Sequence, residues 1–134
     1  MAISDVDAII KTYLDTCTTL TALVSTRIYC PRLPENATLP AVSFFCRGGV
    51  NDPYIPGILN PSVQFDCWAD NMIDAREVYR ALYDNLQGKQ NIATGSTQGI
   101  ISAIEEVHGQ DLVDNEIQNY FRVLTFFSVM IRAE

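Results

Sequence analysis

The sequence predicts an α+β domain: a mixed, largely antiparallel β-sheet with helices packed on one face and a C-terminal β-hairpin. Two local patterns and the bulk composition carry that expectation. Ser62–Asp70 (SVQFDCWAD) alternates apolar and polar residues and is rich in β-formers. At Asn71 the period switches to that of a helix and holds until Gly88. The chain has 134 residues, 48% hydrophobic and 19% charged, which suits one globular domain over 1–134 with a real core.

The elements follow in order. Ser4 is placed to cap a first helix, with Asp5 and Asp7 in its first turn where negative charge suits the dipole. Val6, Ile9, Ile10, Tyr13 and Leu14 share one helical face. Thr18–Val24 reads as a second short helix or a continuation after a break. Arg27–Cys30 is a short strand candidate. Pro31, Pro34 and Pro40 then exclude helix and central strand. Ala41–Arg47 alternates with Phe44 and Phe45 on opposite faces, the pattern of a strand covered on both sides.

Gly48–Pro61 is the most loop-like stretch, with Gly48, Gly49, Pro53, Pro56, Gly57 and Pro61 close together. It also carries Val50, Tyr54, Ile55, Ile58 and Leu59. Apolar side chains in a long loop are either tucked onto the domain or offered to a partner, so these five form a candidate assembly interface. On the expectation that they lie outside the core, charging Ile58 and Leu59 would leave the fold intact.

In the next helix Met72, Ala75, Val78, Tyr79, Leu82 and Leu86 make the apolar stripe. Asn71 and Asp74 stand where a capping box would, Arg80 and Asp84 pair at i, i+4, and Gly88 is the stop. Lys89–Gly99 reads as a polar linker. Ile100–Val107 reads as a strand with a possible bulge at Glu105–Glu106. Gln110–Glu116 reads as an acidic turn and Ile117–Ile131 as the longest strand, with Val123, Phe127, Val129 and Ile131 on one face.

Charge and composition exclude several function classes. The net charge is −7, the reverse of the basic surplus that a free-standing nucleic-acid binder shows. The first residues have acidic side chains where a signal peptide has basic ones. No apolar run approaches the ~20 residues of a membrane span. Cys17, Cys30, Cys46 and Cys67 lack metal-ligand spacing and read as reduced thiols behaving as small hydrophobes, with a Cys30–Cys46 disulfide left open.

Candidate chemistry is sparse. His108 is the sole histidine and lies beside Gly109 at a strand end. No neighbouring pattern makes it a base for a nucleophile. Asp66 and Asp70 flank Trp68 before a helix start, and suit strand-end and capping roles better than acid–base work. Gly48-Gly49 lacks the Lys-Ser/Thr of a phosphate cradle. Glu105, Glu106, Asp111, Asp114 and Glu116 form the largest charge feature. They read either as a solvated hairpin or as an acidic lumen or partner surface that repels DNA.

The order of segments is more telling than any residue. LVSTRIY ends the N-terminal helices, LPENATLPAVSFF and a Gly/Pro loop follow, and VQFDCWADNMIDAREVYRALYDNL precedes the C-terminal hairpin. The set, best matched at Arg27–Tyr29, Leu33–Val42, Val63–Leu86 and Tyr120–Val129, resembles the tail-completion (tail-terminator) proteins of long-tailed bacteriophages and related particles. The resemblance implies a non-enzymatic virion protein at the head–tail junction, assembled in the host cytoplasm. Six copies would cap the tail tube as a ring, end its polymerisation and meet the head connector or stopper protein. DNA would pass through the centre unread. No cofactor, metal or membrane is implied. Two rivals remain: a head–tail connector adaptor or stopper subunit, and a small α+β enzyme or ligand-binding domain.

Overall fold

The computed structural model describes residues 6–30, 32–33, 38–49, 58–93, 99–113 and 121–132. Its elements run α1 (Val6–Thr16), α2 (Thr18–Val24), β1 (Ile28–Tyr29), β2 (Ala41–Gly49), β3 (Ile58–Leu59), β4 (Pro61–Ala69), α3 (Met72–Leu86), β5 (Gln90–Ala93), β6 (Gly99–Val113) and β7 (Phe121–Arg132). The strands form one sheet in the order β1-β2-β4-β7-β6-β5, with β3 also paired to β7. Among the described strands only the β1–β2 pair is parallel. This is the α+β fold that the sequence predicts.

The helices cover one face of the sheet. Ile9, Ile10 and Leu14 of α1, Leu20 and Val24 of α2, and Ala75, Val78, Leu82 and Leu86 of α3 all join one buried cluster. From the sheet, Val42, Phe44, Val63, Phe65, Cys67, Val123, Phe127, Val129 and Ile131 enter the same cluster. The period-2 pattern of β4 and β7 selects these residues, because alternate side chains leave a strand on opposite faces. The rings of Phe44 and Phe65 stand 5.7 Å apart, and Phe127 meets Phe65 edge-on at 5.6 Å. This aromatic row crosses β2, β4 and β7 beneath the helices.

Polar contacts fix the helical layer. The Tyr13 hydroxyl of α1 donates to the Asn85 carbonyl of α3. Asn85 Nδ2 donates to Thr19 Oγ1 of α2 at 2.6 Å. At the start of α3, the Asp74 amide donates to Asn71 Oδ1 at 2.9 Å, which satisfies one orphan helix donor as expected of the cap, and Asn71 Nδ2 donates to Asp74 Oδ2 at 2.9 Å, which ties the two side chains together. At its end, Gly88 adopts φ +74°, a conformation that costs glycine little. Its amide donates to Ala103 O at 2.9 Å and leads the chain onto the sheet.

Several expectations need correction. Residues 90–93 of the expected linker are strand β5, paired to β6 at Gln90–Ser102 and Ile92–Ile100. Gly99 permits the pairing, since a Cβ there would lie 2.1 Å from the Ile92 carbonyl oxygen. Residues 110–113 of the expected acidic turn continue β6, which at 15 residues is longer than the 12-residue β7. Within the expected loop, Gly48 and Gly49 extend β2, and Ile58 and Leu59 pair with Arg132 and Ile131 of β7. The Ser4 and Asp5 cap lies outside the described residues, as do Val50, Tyr54, Ile55, Asp114 and Glu116. The four cysteines form no disulfide: Cys17 and Cys67 are buried, Cys46 is half-buried and Cys30 is exposed.

Phe65 sits at the centre of the aromatic row and is fully buried. Phe65→Ala removes both ring contacts and opens a cavity. The expected loss is about 3–5 kcal/mol, read as a lower denaturant midpoint at unchanged slope.

Candidate functional site

Among the described elements, the helices leave the other face of the sheet uncovered. Cross-strand register arranges it in rows. Phe45, Gln64, Phe126 and Val107 lie side by side across β2, β4, β7 and β6. Ser43, Asp66, Leu124 and Gln110 form the next row, and Ser62, Ser128 and Ile104 the row on the other side. Phe45, Leu124, Phe126 and Met130 are half-buried. Ile104 and Val107 are 57% and 36% exposed. Among the described residues no helix reaches Phe45, which is half-buried, where the sequence predicts a strand covered on both sides.

Guanidinium groups lie over the aromatic rings here. Arg47 stacks 4.0 Å from the Phe126 centroid, and Arg122 5.3 Å from that of Trp68. Arg47 Nε donates to Ser62 Oγ at 2.9 Å, which donates to Glu106 Oε1 at 2.7 Å. Trp68 Nε1 donates to Ser43 Oγ at 2.9 Å. The face is therefore apolar and aromatic with an organised polar overlay.

Asp66 belongs to this face. Its side chain is 7% exposed and lies 3.5 Å from Arg122. Burial pushes its carboxyl above the usual range, against the opposing pull of Arg122 and a hydrogen bond from Gln64. Asp70 is exposed beyond the end of β4, so the two aspartates are not one site.

The acidic residues predicted as one surface divide. Glu105 and Glu106 straddle a register shift between Glu105 and Val107, at the bulge anticipated for them. Glu106 is exposed and reaches Ser62 on the open face. Glu105 turns toward the helical layer and is 8% exposed. Tyr79 Oη and Thr125 Oγ1 each lie 2.7 Å from its Oε2, and Gln87 Oε1 accepts its backbone N–H at 2.6 Å. His108 Nδ1 lies 3.4 Å from Glu105 Oε1 and 3.2 Å from the Tyr79 hydroxyl. The Tyr79 phenol is pushed up to about 12, by burial first and by its hydrogen bond to Glu105 second. Asp111 is exposed on β6 and pairs with Arg76 at 3.4 Å. Glu105 thus serves to fasten the bulge to α3 and β7.

Of the predicted interface residues, Ile58 and Leu59 are half-buried in β3. Leu59 packs against the core, so Leu59→Asp is expected to disturb folding, and Ile58 is the cleaner probe of that edge. Among the described residues, no group of three His, Cys, Asp or Glu side chains could hold a metal ion. No described helix is long and apolar enough to cross a membrane. Sequence reasoning missed the open face. Its signal was present in the second face of β7, where Leu124, Phe126 and Met130 alternate with the core residues.

The fold has a counterpart in a virion. One chain in a solved structure of the virion of a native gene transfer agent particle superposes with a TM-score of 0.64. It is 16% identical, and the match covers 94% of this chain and 93% of that one. The two chains share a fold over nearly their whole lengths. No family model and no curated protein matches the sequence.

The position of Asp66 gives a pH test. A carboxyl whose folded value is raised contributes stability that is full below its unfolded value of about 3.9 and is lost as pH rises through the folded value. Asp66→Asn removes that loss. The variant's melting temperature is expected to gain on the wild type as pH rises from about 4 through the folded value. A growing deficit over that interval would show that the attraction of Arg122 outweighs burial.

Proposed function

We propose that the chain is a non-enzymatic structural subunit of a phage-like particle that completes the tail as a ring. The observation that carries this reading is the fold shared with a virion chain across 94% of this sequence and 93% of the other. The segment order of tail-completion proteins supports the finer assignment. The open sheet face supports assembly, because a ring needs apolar surface outside the subunit core. The net charge of −7 suits a conduit that lets DNA pass without holding it.

In this reading six subunits close on the end of the tail tube, stop its growth and present the junction to the head connector or stopper. A connector adaptor or stopper is the second reading, since the matched chain is described by its virion and not by a position within it. Six copies of the 14.9 kDa chain make a particle of about 89 kDa. Adding the purified chain to polymerising tube protein is expected to cap the tubes and shorten their length distribution in electron micrographs. Tubes bound at their ends but unlimited in length would favour the adaptor reading. A chain that neither binds tubes nor forms rings would sink both.

A further inference from the structure

Among the described residues, the exposed large apolar side chains are Ile73, Ile104 and Val107. Their distribution is unusual. Ile104 and Val107 lie on the open face, beside Ser128 and Phe126 in the register. Ile73, 81% exposed, projects from the first turn of α3 in the helical layer on the other side of the sheet. A two-layer subunit with different apolar spots front and back is suited to head-to-tail contact, which joins two unlike patches.

The charges around the spots are complementary. Asp74 follows Ile73, and Glu77 shares its side of the helix at i+4. Both are exposed, while the nearest cations, Arg76 at i+3 and Arg80 at i+7, pair with Asp111 at 3.4 Å and with Asp84 at 3.5 Å. The open face offers one exposed cation beside its apolar spot. Arg47 is exposed and stacked on Phe126, next to Val107 in the register. Arg122 stacks on Trp68 in a row further along, where its charge is met by Asp66 at 3.5 Å. Against these stand Glu106, held by Ser62, and the buried Asp66.

We propose that a second copy of this chain covers the open sheet face, seating Ile73 of its α3 against Ile104, Val107 and Phe126, with Asp74 and Glu77 facing Arg47. The contact rests on the ring reading and supplies its repeating interface. It is heterologous, so each subunit gives its α3 stripe to one neighbour and its open face to the other. Such contacts close into a ring when the rotation per subunit allows it.

A mixing experiment tests this directly. Ile73→Glu spoils the α3 stripe and leaves the open face; Ile104→Glu does the reverse. Each variant alone is expected to run as a monomer under conditions where the wild type forms rings, in solution or on tube ends. Mixed together, they are expected to form one-to-one dimers of about 30 kDa, twice the 14.9 kDa chain, and nothing larger. One good interface remains in that pair, and both outer patches are spoiled. If either glutamate lowers the melting temperature, a charge exchange replaces it: Arg47→Glu and Glu77→Arg each weaken assembly, and the double variant restores it. Variants that assemble as the wild type does, or a mixture without dimers, overturn this contact and leave the ring reading standing. A wild-type chain that never self-associates, alone or on tubes, overturns both.

Discussion

The helical layer seals one face of the sheet through the buried row of Phe44, Phe65 and Phe127, and nearly everything else follows from its being on one side only. Strand alternation sends every second side chain of β2, β4 and β7 into that core. The intervening side chains must go to the other face, whatever their chemistry. There Phe45, Leu124, Phe126 and Met130 remain half-buried, with no second layer above them among the described residues. The hydrophobic effect that drives the first face together leaves a residue of unsatisfied apolar area on the second. A second molecule laid on this face would cover it.

The sixth strand shows how the two faces are kept distinct. Adjacent carboxylates at Glu105 and Glu106 would be an electrostatic burden on one surface. Strand alternation sends them apart, and the register shift that follows lets Glu106 and Val107 share the open face. Glu105 goes inward, where the Tyr79 and Thr125 hydroxyls surround it, and Glu106 goes outward to Ser62. A further shift between Val107 and Gln110 frees Gly109 to approach α3 closely. A Cβ at Gly109 would lie 2.8 Å from both Tyr79 Cζ and Val123 Cγ1. Its amide meets the Tyr79 hydroxyl at 3.2 Å and its carbonyl meets Arg76 at 3.2 Å. The bulges thus connect the sheet to α3 with side-chain bonds where ladder pairing lapses, and they spoil a long strand for unwanted edge pairing.

Periodicity made the fold class legible. The α3 stripe, its Asn71 cap, the Gly88 stop and the inward face of β7 were all readable, because local pattern and tertiary burial agree at those positions. The β5 strand was not readable, since only Ile92 among its residues packs toward the core and its neighbours are exposed. The continuation of β6 through Asp111 was masked by charge that the exposed edge tolerates. Ile58 and Leu59 looked like loop because strand β3 is two residues long and bounded by turn formers. The open face was the hardest to see. Phe45 and Phe126 carry the signature of burial, and nothing in a single strand's sequence says whether a helix or another molecule supplies the cover.

The central claim is that one face of the sheet is core and the other is assembly surface. Hydroxyl-radical footprinting of the free and assembled protein, read residue by residue by mass spectrometry, addresses both halves at once. In the free chain Phe45, Trp68, Phe126 and Met130 should label, while Phe44, Phe65 and Phe127 stay protected. On assembly the first group should lose its labelling and the second should not change. Open-face side chains that label equally before and after assembly would contradict the account.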